Sequence, residues 1–363
     1  MKQKKITPIR TFLLVLLLVA GSKSAFAGDT IPAAPPLSIT GSVDAFYRYG
    51  GNGVGSATSF TTTHNSITLG MANVSISKDF TNSGFMVDLI FGRRAEEFNY
   101  NYDGKISQAI KQLYFYYKPS KDIKLTMGSW NTHVGYEVPE AVNNLNYSMS
   151  YMFTHGPFFH TGVKGEFALS DKFTLMLGVF SNTDTKGLAS GDLHLGGQLA
   201  YVNGNFKGYL NYLTGNDTAV FAGTPAGHTT GSQIDVVATY QLTTAFGLGV
   251  NYTNKSSDLI TSKATIASNW SGLAVYANYA ISPTFTLAGR YENFNDKDGF
   301  NLNTVGATVD AFTLSGNIKL DKGNIILIPE VRFDSSNKSV YTDNNGKAQT
   351  GESSFIFAAV YKF

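Results

Sequence analysis

The sequence predicts an all-β fold, a transmembrane antiparallel up-and-down β-barrel of about sixteen strands. Three observations support this fold class. Apolar and polar residues alternate in many segments, short and long connections alternate between those segments, and the chain ends on an aromatic residue that completes an alternating segment. Counts of roughly 14 or 18 strands are the alternatives, because strand boundaries are hard to place from sequence.

The composition is that of a β-rich envelope protein. The chain contains 20 Tyr, 26 Phe and 37 Gly, and only 15% of its residues are charged. After the N-terminal segment, no apolar stretch approaches the roughly 20 residues that a membrane-spanning helix needs, so any crossing must use strands. The absence of cysteine excludes disulfides and thiolate metal sites. Composition alone is equally compatible with a secreted β-sandwich or propeller.

The first residues predict an export signal. Several basic residues precede the apolar run 12–20, and the small-x-small motif Ala-Phe-Ala follows at 25–27. This order is typical of a cleavable signal peptide. We therefore expect a signal peptide over 1–27, a Pro-rich stub over 28–36 and the barrel over 37–363.

The strand pattern is clearest in residues 233–242, where even positions are apolar and most odd positions are polar. After a short link the alternation resumes at Phe246 and continues to Thr253. This arrangement predicts a hairpin of two-faced strands. The same criterion predicts strands near 37–49, 66–80, 84–94, 107–118, 123–132, 157–169, 172–182, 193–203, 205–214, 231–242, 245–255, 265–281, 284–295, 306–320, 323–334 and 352–363.

The connections alternate in length along the chain. Links such as Ser170–Asp171 and Ser282–Pro283 are tight, whereas the links that lie between the tight ones are long. A transmembrane barrel has short periplasmic turns and long external loops, and an even number of strands puts both termini on the periplasmic side. The expected location is therefore the bacterial outer membrane, with lipid around the outer face. The long links are 50–65, 95–106, 133–156, 183–192, 215–230, 256–264, 296–305 and 335–351.

Two segments depart from strict alternation. Lys111 shares parity with Leu113 and the aromatic residues that follow it, and the pattern of 66–80 changes phase between Met71 and Val74. A β-bulge or a position at the barrel rim would account for each departure, because an extra residue in one strand reverses the face of all later side chains.

Charges on the polar face are expected to line the lumen. Sixteen strands enclose a water-filled lumen, and a set of six basic and seven acidic residues gives no strong ion selectivity. The alternative is that these charges pair across neighbouring strands and stiffen the wall. The residues are Asp44, Arg48, Asp88, Arg94, Lys164, Glu166, Asp235, Arg290, Glu292, Lys319, Glu330, Arg332 and Asp334.

The segment 131–157 is the longest link and is rich in aromatic residues and methionine. Such a composition would be unusual for a freely solvated loop. We expect it to pack inside the barrel and to form a pore constriction with His133, Glu137 and Glu140. The alternative is an external loop that packs against its neighbours.

No catalytic, cofactor or metal site is predicted. Ser129, His133 and Glu137 have a suggestive spacing for an outer-membrane hydrolase, but four-residue spacing in a strand or loop does not place side chains on one face. The histidines are scattered, and no nucleotide, zinc or phosphate-loop motif occurs. Nothing in the charge pattern suggests binding to nucleic acid.

The final segment, Phe355–Phe363, alternates aromatic residues and ends on Phe363. It resembles the signal that the outer-membrane assembly machinery recognises, although Ala358 stands where that signal usually has glycine. We therefore expect this machinery to be a partner through Phe363.

Four segments resemble one known family: Leu69–Val74, Lys124–Glu137, Asn146–Tyr151 and Ile328–Asp334. They are similar to the OmpL-like β-barrel porin family, and the resemblance implies an outer-membrane porin. The expected function is passive diffusion of small hydrophilic solutes, with a homotrimer as one oligomeric state to test. Alternatives are a structural or adhesive barrel with a closed lumen, and an outer-membrane hydrolase.

Overall fold

A computed structural model describes residues 36–100, 106–187, 191–218 and 227–363. The predicted signal peptide and almost all of the Pro-rich stub lie outside these residues. The strands are β1 (Ser38–Gly50), β2 (Ser66–Asp79), β3 (Ser83–Phe91), β4 (Ile110–Ser120), β5 (Ile123–Asn131), β6 (Phe159–Ala168), β7 (Phe173–Phe180), β8 (His194–Asn203), β9 (Phe206–Thr218), β10 (Gly227–Gln241), β11 (Phe246–Thr261), β12 (Thr265–Ala267), β13 (Trp270–Ser282), β14 (Phe285–Asp296), β15 (Ala307–Leu320), β16 (Ile325–Ser336), β17 (Tyr341–Thr342), β18 (Ala348–Gln349) and β19 (Gly351–Lys362).

Sixteen long strands form one closed antiparallel barrel, which confirms the predicted fold class and strand number. Each long strand pairs with its neighbours in the chain, and β19 pairs with β1 to close the sheet. Backbone hydrogen bonds between Gly41 and Phe363, 3.0 and 3.1 Å long, complete the closure. A closed sheet leaves no edge groups without hydrogen bonds, which is what a hydrocarbon environment requires.

Three short strands add to these sixteen. Strand β12 belongs to the same sheet and pairs with the outer end of β11, whereas β17 and β18 form a separate small hairpin. The helices are α1 (Arg93–Phe98) and α2 (Tyr151–His155), and the 3₁₀ segments are Ile106–Ala109, Ala141–Asn143 and Asp321–Gly323. Among the described residues, no helix combines the length and the apolar character that a membrane crossing demands.

Strands β9–β11 extend four to six residues beyond their predicted outer ends, and two other strand predictions ran across a turn or a break in the chain. The strand predicted over 84–94 ends at Phe91, because Gly92 adopts a φ of 102° and turns the chain into α1. This left-handed conformation favours glycine. The strand predicted over 265–281 is divided into β12 and β13, because the backbone and side-chain amides of Asn269 bind Asp298 at 2.9 and 2.7 Å instead of continuing the ladder.

Bulges explain both departures from alternation. The pairing of β3 with β4 shifts so that Lys111 is the extra residue, which turns its side chain inward while Leu113 faces outward. The pairing of β1 with β2 shifts in the same way at Gly70 and Met71. Gly70 is required there, since a Cβ atom would lie 1.7 Å from a carboxylate oxygen of Asp44.

The outer face is apolar, as the alternation predicts. Side chains such as Ile67, Leu69 and Phe115 are exposed by 84%, 75% and 58%. Their exposure is that of a surface in contact with lipid, since hydrocarbon covers such side chains in a membrane.

The outer face yields a prediction about depth in the membrane. On β7, Leu177 lies in mid-strand and Phe173 lies beside a tight turn, and both side chains point outward. Leu177→Arg should lower the free energy of unfolding by about 2–4 kcal/mol, and the matched control Phe173→Arg by about 0–1 kcal/mol, because the cost of a charge falls towards the interface. Urea unfolding of vesicle-refolded protein measures both values. Equal losses would contradict a transmembrane orientation of β7.

Candidate functional site

The connection between β5 and β6, residues 132–158, lies inside the barrel and is called the inserted connection below. Tyr147 and Tyr151, in its second half, are fully buried. Helix α2 starts in this segment because the Ser150 hydroxyl accepts a hydrogen bond from the amide of Phe153 at 3.0 Å, which caps the helix. A buried turn of helix therefore stands in the lumen.

One side of the lumen is a packed core and not water. The inner face of β19 presents Ile356, Ala358 and Val360, which are 0–1% exposed and pack with Phe46 and Tyr147. The expected water-filled lumen is therefore wrong on this side of the barrel. Strand number permits an open interior, but the connections that fold inward fill it.

A second cluster shows that other connections enter the lumen as well. Phe60, from the link between β1 and β2, and Phe98, from α1, both pack on Phe158 of the inserted connection. Phe60 is 1% exposed and Phe98 is 0% exposed. Three long connections thus share one apolar core, and each of them buries side chains that an external loop would leave in water.

Arg290 on β14 is the first charged anchor of the inserted connection. Its guanidinium donates to the Glu137 carboxylate at 2.5 Å and to the carbonyl oxygen of Ser148 at 2.7 Å. The same carboxylate accepts from the amide and the hydroxyl of Ser150, both at 2.8 Å. One ion pair therefore joins the wall to both halves of the connection.

Lys111 on β4 is the second anchor. Its ammonium group donates to the carboxylates of Asp88, on the neighbouring strand, and of Glu140, on the inserted connection. Lys111 has no exposed surface. The bulge that turns Lys111 inward therefore creates this contact, because strict alternation would direct the side chain towards lipid.

Acidic side chains of the wall bind the backbone of the inserted connection. Glu330 on β16 accepts from the amides of residues 147–148 at 2.6 and 3.0 Å. Glu292 on β14 accepts from the amides of residues 151–152, both at 2.8 Å. A buried carboxylate is stable only when donors surround it. These four amides provide the donors, and the connection gains fixed positions along the wall.

Two arginines complete the attachment. Arg332 on β16 donates to the carbonyl oxygen of Met149 at 2.6 Å. Arg94 on α1 lies between the rings of Phe60 and Tyr147, with its guanidinium carbon 4.9 Å from each ring centroid. The guanidinium also donates to the carbonyl oxygen of Pro139 at 2.9 Å, and the cation–π contacts hold it in place without a carboxylate partner among the described residues.

Ten of the thirteen charges predicted to line the lumen are buried, so most of them face the inserted connection or each other and not water. Arg94 also lies on α1 and not on a strand, for the reason given above. Lys164 and Glu166 are partly exposed and Lys319 is exposed. The buried members are Asp44, Arg48, Asp88, Arg94, Asp235, Arg290, Glu292, Glu330, Arg332 and Asp334.

The open space lies between the inserted connection and the part of the wall formed by β8–β14. Three cavities of about 300, 20 and 460 Å³ follow one another there and share lining residues. The first, the outer vestibule, is lined by residues near the long connections, among them Asp217, Lys255 and Trp270. The last, the inner vestibule, is lined by residues nearer the tight turns, among them Lys207 and Thr239. The 20 Å³ cavity between them is the neck.

The neck is formed by the inserted connection and the middle of β10 and β11. The carboxylate of Asp235 accepts from the amide of Gly135 at 3.0 Å, and from the side chains of Asn211 and Asn251 at 2.7 and 2.6 Å. At about 20 Å³ the neck has room for about one water molecule, since roughly 10–15 Å³ is enough to hold one. Asp235 therefore ties the connection to the wall at the narrowest place between the two vestibules.

The three residues predicted to form the constriction lie in different places. Glu137 lines both the neck and the inner vestibule, and His133 lines only the inner vestibule, where its Nε2 is 3.2 Å from the carbonyl oxygen of Tyr212. Burial lowers the pKa of the His133 imidazole to about 4, so this side chain is neutral at pH 7. Glu140 lines none of the described cavities, because it binds Lys111.

Sequence reasoning missed part of the neck. Met152 and Phe153 border it together with Gly135 and Tyr136. The ring of Tyr136 stacks on Tyr276 with centroids 4.0 Å apart. The aromatic and methionine content of the segment was the available signal, but it indicates only that the segment is buried, not which residues reach the path.

A search of curated protein sequences found no significant match. The family model described as "Putative beta-barrel porin-2, OmpL-like" matches residues 36–363. The chain belongs to this porin family. This porin is therefore a passive channel of the bacterial outer membrane, and the resemblance inferred from the sequence motifs is confirmed.

Solved structures of other outer-membrane proteins share the fold of this porin at low identity. OmpT of Vibrio cholerae in its trimer form has a TM-score of 0.62 and 13% identity, over 91% of this chain and 100% of that one. The outer-membrane channel DcaP of Acinetobacter baumannii has a TM-score of 0.61 and 14% identity, over 93% of this chain and 100% of that one. An anion-selective porin from Comamonas acidovorans has a TM-score of 0.61 and 10% identity, over 90% of this chain and 99% of that one.

The anchors yield a prediction about stability. Lys111→Met should lower the free energy of unfolding by about 3–5 kcal/mol, because it leaves two buried carboxylates without their cation. The matched control is Lys124→Met. Lys124 pairs with Glu166 at 3.1 Å, but these side chains are 36% and 30% exposed, so the loss should stay within about 1 kcal/mol. Urea unfolding in lipid vesicles measures both, and a control that loses as much as Lys111→Met would contradict the anchoring role.

Proposed function

We propose that small hydrophilic solutes pass this porin between the inserted connection and strands β8–β14. The single observation that carries this path is the series of two vestibules joined by a neck, set against a packed core on the other side of the lumen. Diffusion down a gradient needs no moving part of the protein. The neck sets the size limit for the solutes that pass.

The residues of the predicted constriction then have separate roles. Glu137 borders the neck, and His133 borders the inner vestibule beyond it. Glu140 acts through its ion pair with Lys111, which holds the inserted connection against the opposite wall. Glu140 is therefore a positioning residue and not a part of the path.

Selection by size should dominate over selection by charge. The two carboxylates at the neck are already neutralised or bonded: Glu137 pairs with Arg290, and Asp235 accepts three hydrogen bonds. Arg290 cancels the charge of Glu137, whereas Asp235 keeps its negative charge, because its donors are neutral amides. One carboxylate that is already surrounded by donors gives at most a weak preference for cations, in agreement with the near balance of acidic and basic residues on the inner face.

We further propose that the chain catalyses no reaction. The three residues that suggested a hydrolase do not bond to one another. Glu137 binds Arg290 and Ser150, and His133 binds the carbonyl oxygen of Tyr212, whereas the buried Ser129 hydroxyl has no hydrogen-bond partner in the described part of the chain. A hydrolytic triad requires the acid, the base and the nucleophile to bond to one another. The contacts of Glu137 and His133 instead fix the inserted connection in the lumen.

A structural barrel with a closed lumen is the second candidate, and the 20 Å³ neck is the observation that favours it. The two vestibules count against it, because a barrel selected only for strength gains nothing from cavities of several hundred Å³. Recordings in planar bilayers separate the two: stable current steps support the channel, and their lasting absence supports the closed barrel.

The neck provides the sharpest prediction for the path. Asp235→Ala removes the tether of Gly135 and should raise the single-channel conductance by a factor on the order of two, since the narrowest section dominates the resistance. The control is Glu352→Gln, a buried carboxylate that binds Arg48 and lines none of the described cavities. The control should conduct like the wild type. An unchanged conductance in Asp235→Ala would place the narrowest section elsewhere.

We also propose that the protein assembles as a homotrimer and reaches the membrane through recognition of Phe363. The similarity to OmpT of Vibrio cholerae in its trimer form supports the first point. The exposed Phe363, at the end of an alternating apolar face, supports the second. Light scattering of the detergent-extracted protein should give three chains per particle, and a mass of one chain would rule out the trimer.

A further inference from the structure

We propose that the inner vestibule is a binding site for a neutral, polyhydroxylated solute of the size of a mono- or disaccharide. The inference deepens the proposed passive path, because the solute would occupy one end of it. The cavity of about 460 Å³ lies within the range of roughly 300–1,000 Å³ that is typical of small-molecule sites.

The lining is rich in side-chain amides. Six of the lining residues carry one, and they lie on the inserted connection and on three wall strands. Each amide presents two donors and one acceptor, which matches sugar hydroxyls, since each of these both donates and accepts. The six are Asn143, Asn144, Asn146, Gln198, Asn211 and Asn278.

Some of these groups are already oriented and others are free. Gln198 donates to Asn211 at 2.8 Å, and Asn211 donates to Asp235, so this pair is held in place by the same carboxylate that forms the neck. Asn278 and Tyr209 make no side-chain hydrogen bond within the described part of the chain, and both are partly exposed to the cavity. Oriented and free groups together are what a polar ligand site requires.

Aromatic faces complete the site. The stacked pair of Tyr136 and Tyr276 stands at the neck end of the cavity, and Tyr209 lines its wall. Aromatic rings offer an apolar face beside a polar tip, which suits the C–H face of a pyranose. Gly249 allows this arrangement, since a Cβ atom there would lie 2.8 Å from the ring of Tyr136.

The charges around the cavity favour a neutral solute. The ionisable lining residues besides tyrosine are Glu137, His133 and Lys207. Glu137 is paired with Arg290, and Lys207 is exposed at the end beside a tight turn. The outer vestibule differs, because Asp184, Asp217 and Lys255 line it. An ionic solute would therefore find no free counter-charge deep in the inner vestibule, whereas hydroxyl groups would find the side chains of Asn143, Tyr209 and Asn278, which make no side-chain hydrogen bond within the described residues.

The neck makes binding depend on the side of addition. A sugar cannot pass a cavity of 20 Å³ without movement of the inserted connection, so it should reach the site from the side of the tight turns. Orientation in a planar bilayer can be fixed by adding the protein to one side. Sucrose at millimolar concentration, too dilute to change the bulk conductivity, should then reduce the current at a lower concentration from one side than from the other.

Two variants of lining residues test whether sucrose binds in the inner vestibule. Asn278→Ala and Tyr209→Phe should each raise the half-blocking sucrose concentration about threefold to tenfold, the loss expected for one hydrogen bond. The block is measured as a fraction of each variant's own current without sugar, so that a change in that current does not enter the comparison. The matched control Asn301→Ala alters an asparagine of the outer vestibule. Its half-blocking sucrose concentration should equal that of the wild type.

The failures of the two proposals are distinguishable. One contrary result is a channel that conducts but is blocked equally by sucrose and by sodium acetate. Another is a block by sucrose that is the same in Asn278→Ala as in the wild type. Either result overturns the sugar site and leaves the path intact. A protein that does not conduct overturns the path. Calorimetric titration of the detergent-extracted protein with sucrose then decides the site alone: heat that is lost in Asn278→Ala supports it, and no heat overturns it.

Discussion

The burial of charged side chains on the inner wall is the constraint on which this structure depends. Arg290, Glu330 and Lys111 are each at most 1% exposed, although they belong to a channel wall. A buried ion without partners costs several kcal/mol. The partners come from the inserted connection, residues 132–158, whose carboxylates, amides and carbonyl oxygens meet these charges. The barrel wall and the connection are therefore stable only together.

This attachment determines where the path runs. The connection binds β4, β14 and β16 on one side of the lumen, and open space remains along β8–β14. It meets that part of the wall at His133, whose Nε2 is 3.2 Å from the carbonyl oxygen of Tyr212, and at Gly135, whose amide binds Asp235. The same segment thus acts as core on one side and as neck on the other. A channel can in this way have a rigid constriction without a separate plug domain.

Much of the fold could be predicted from the sequence, since side-chain alternation and connection length are local properties. Parity assigned Arg290 and Glu330 to the inner face, and terminal aromatic residues indicated the closing strand. Where the pattern failed, at Lys111 and Met71, it pointed to bulges, because a change of phase needs an extra residue. The turn at Gly92 was not predicted, because a single glycine in the sequence does not show that the backbone adopts a positive φ there.

The sequence by itself determined the barrel, the strand number and a buried, aromatic connection after β5. Only the tertiary structure decided which inward charges meet that connection and which residues border the path. The amide of Tyr147 and the carboxylate of Glu330 are 183 positions apart, and no periodic pattern encodes such a pair. Glu137 and Glu140 look alike in sequence, yet one lies at the neck and the other binds Lys111. The difference arises because the path of the connection across the lumen is set by distant partners, not by its own residues.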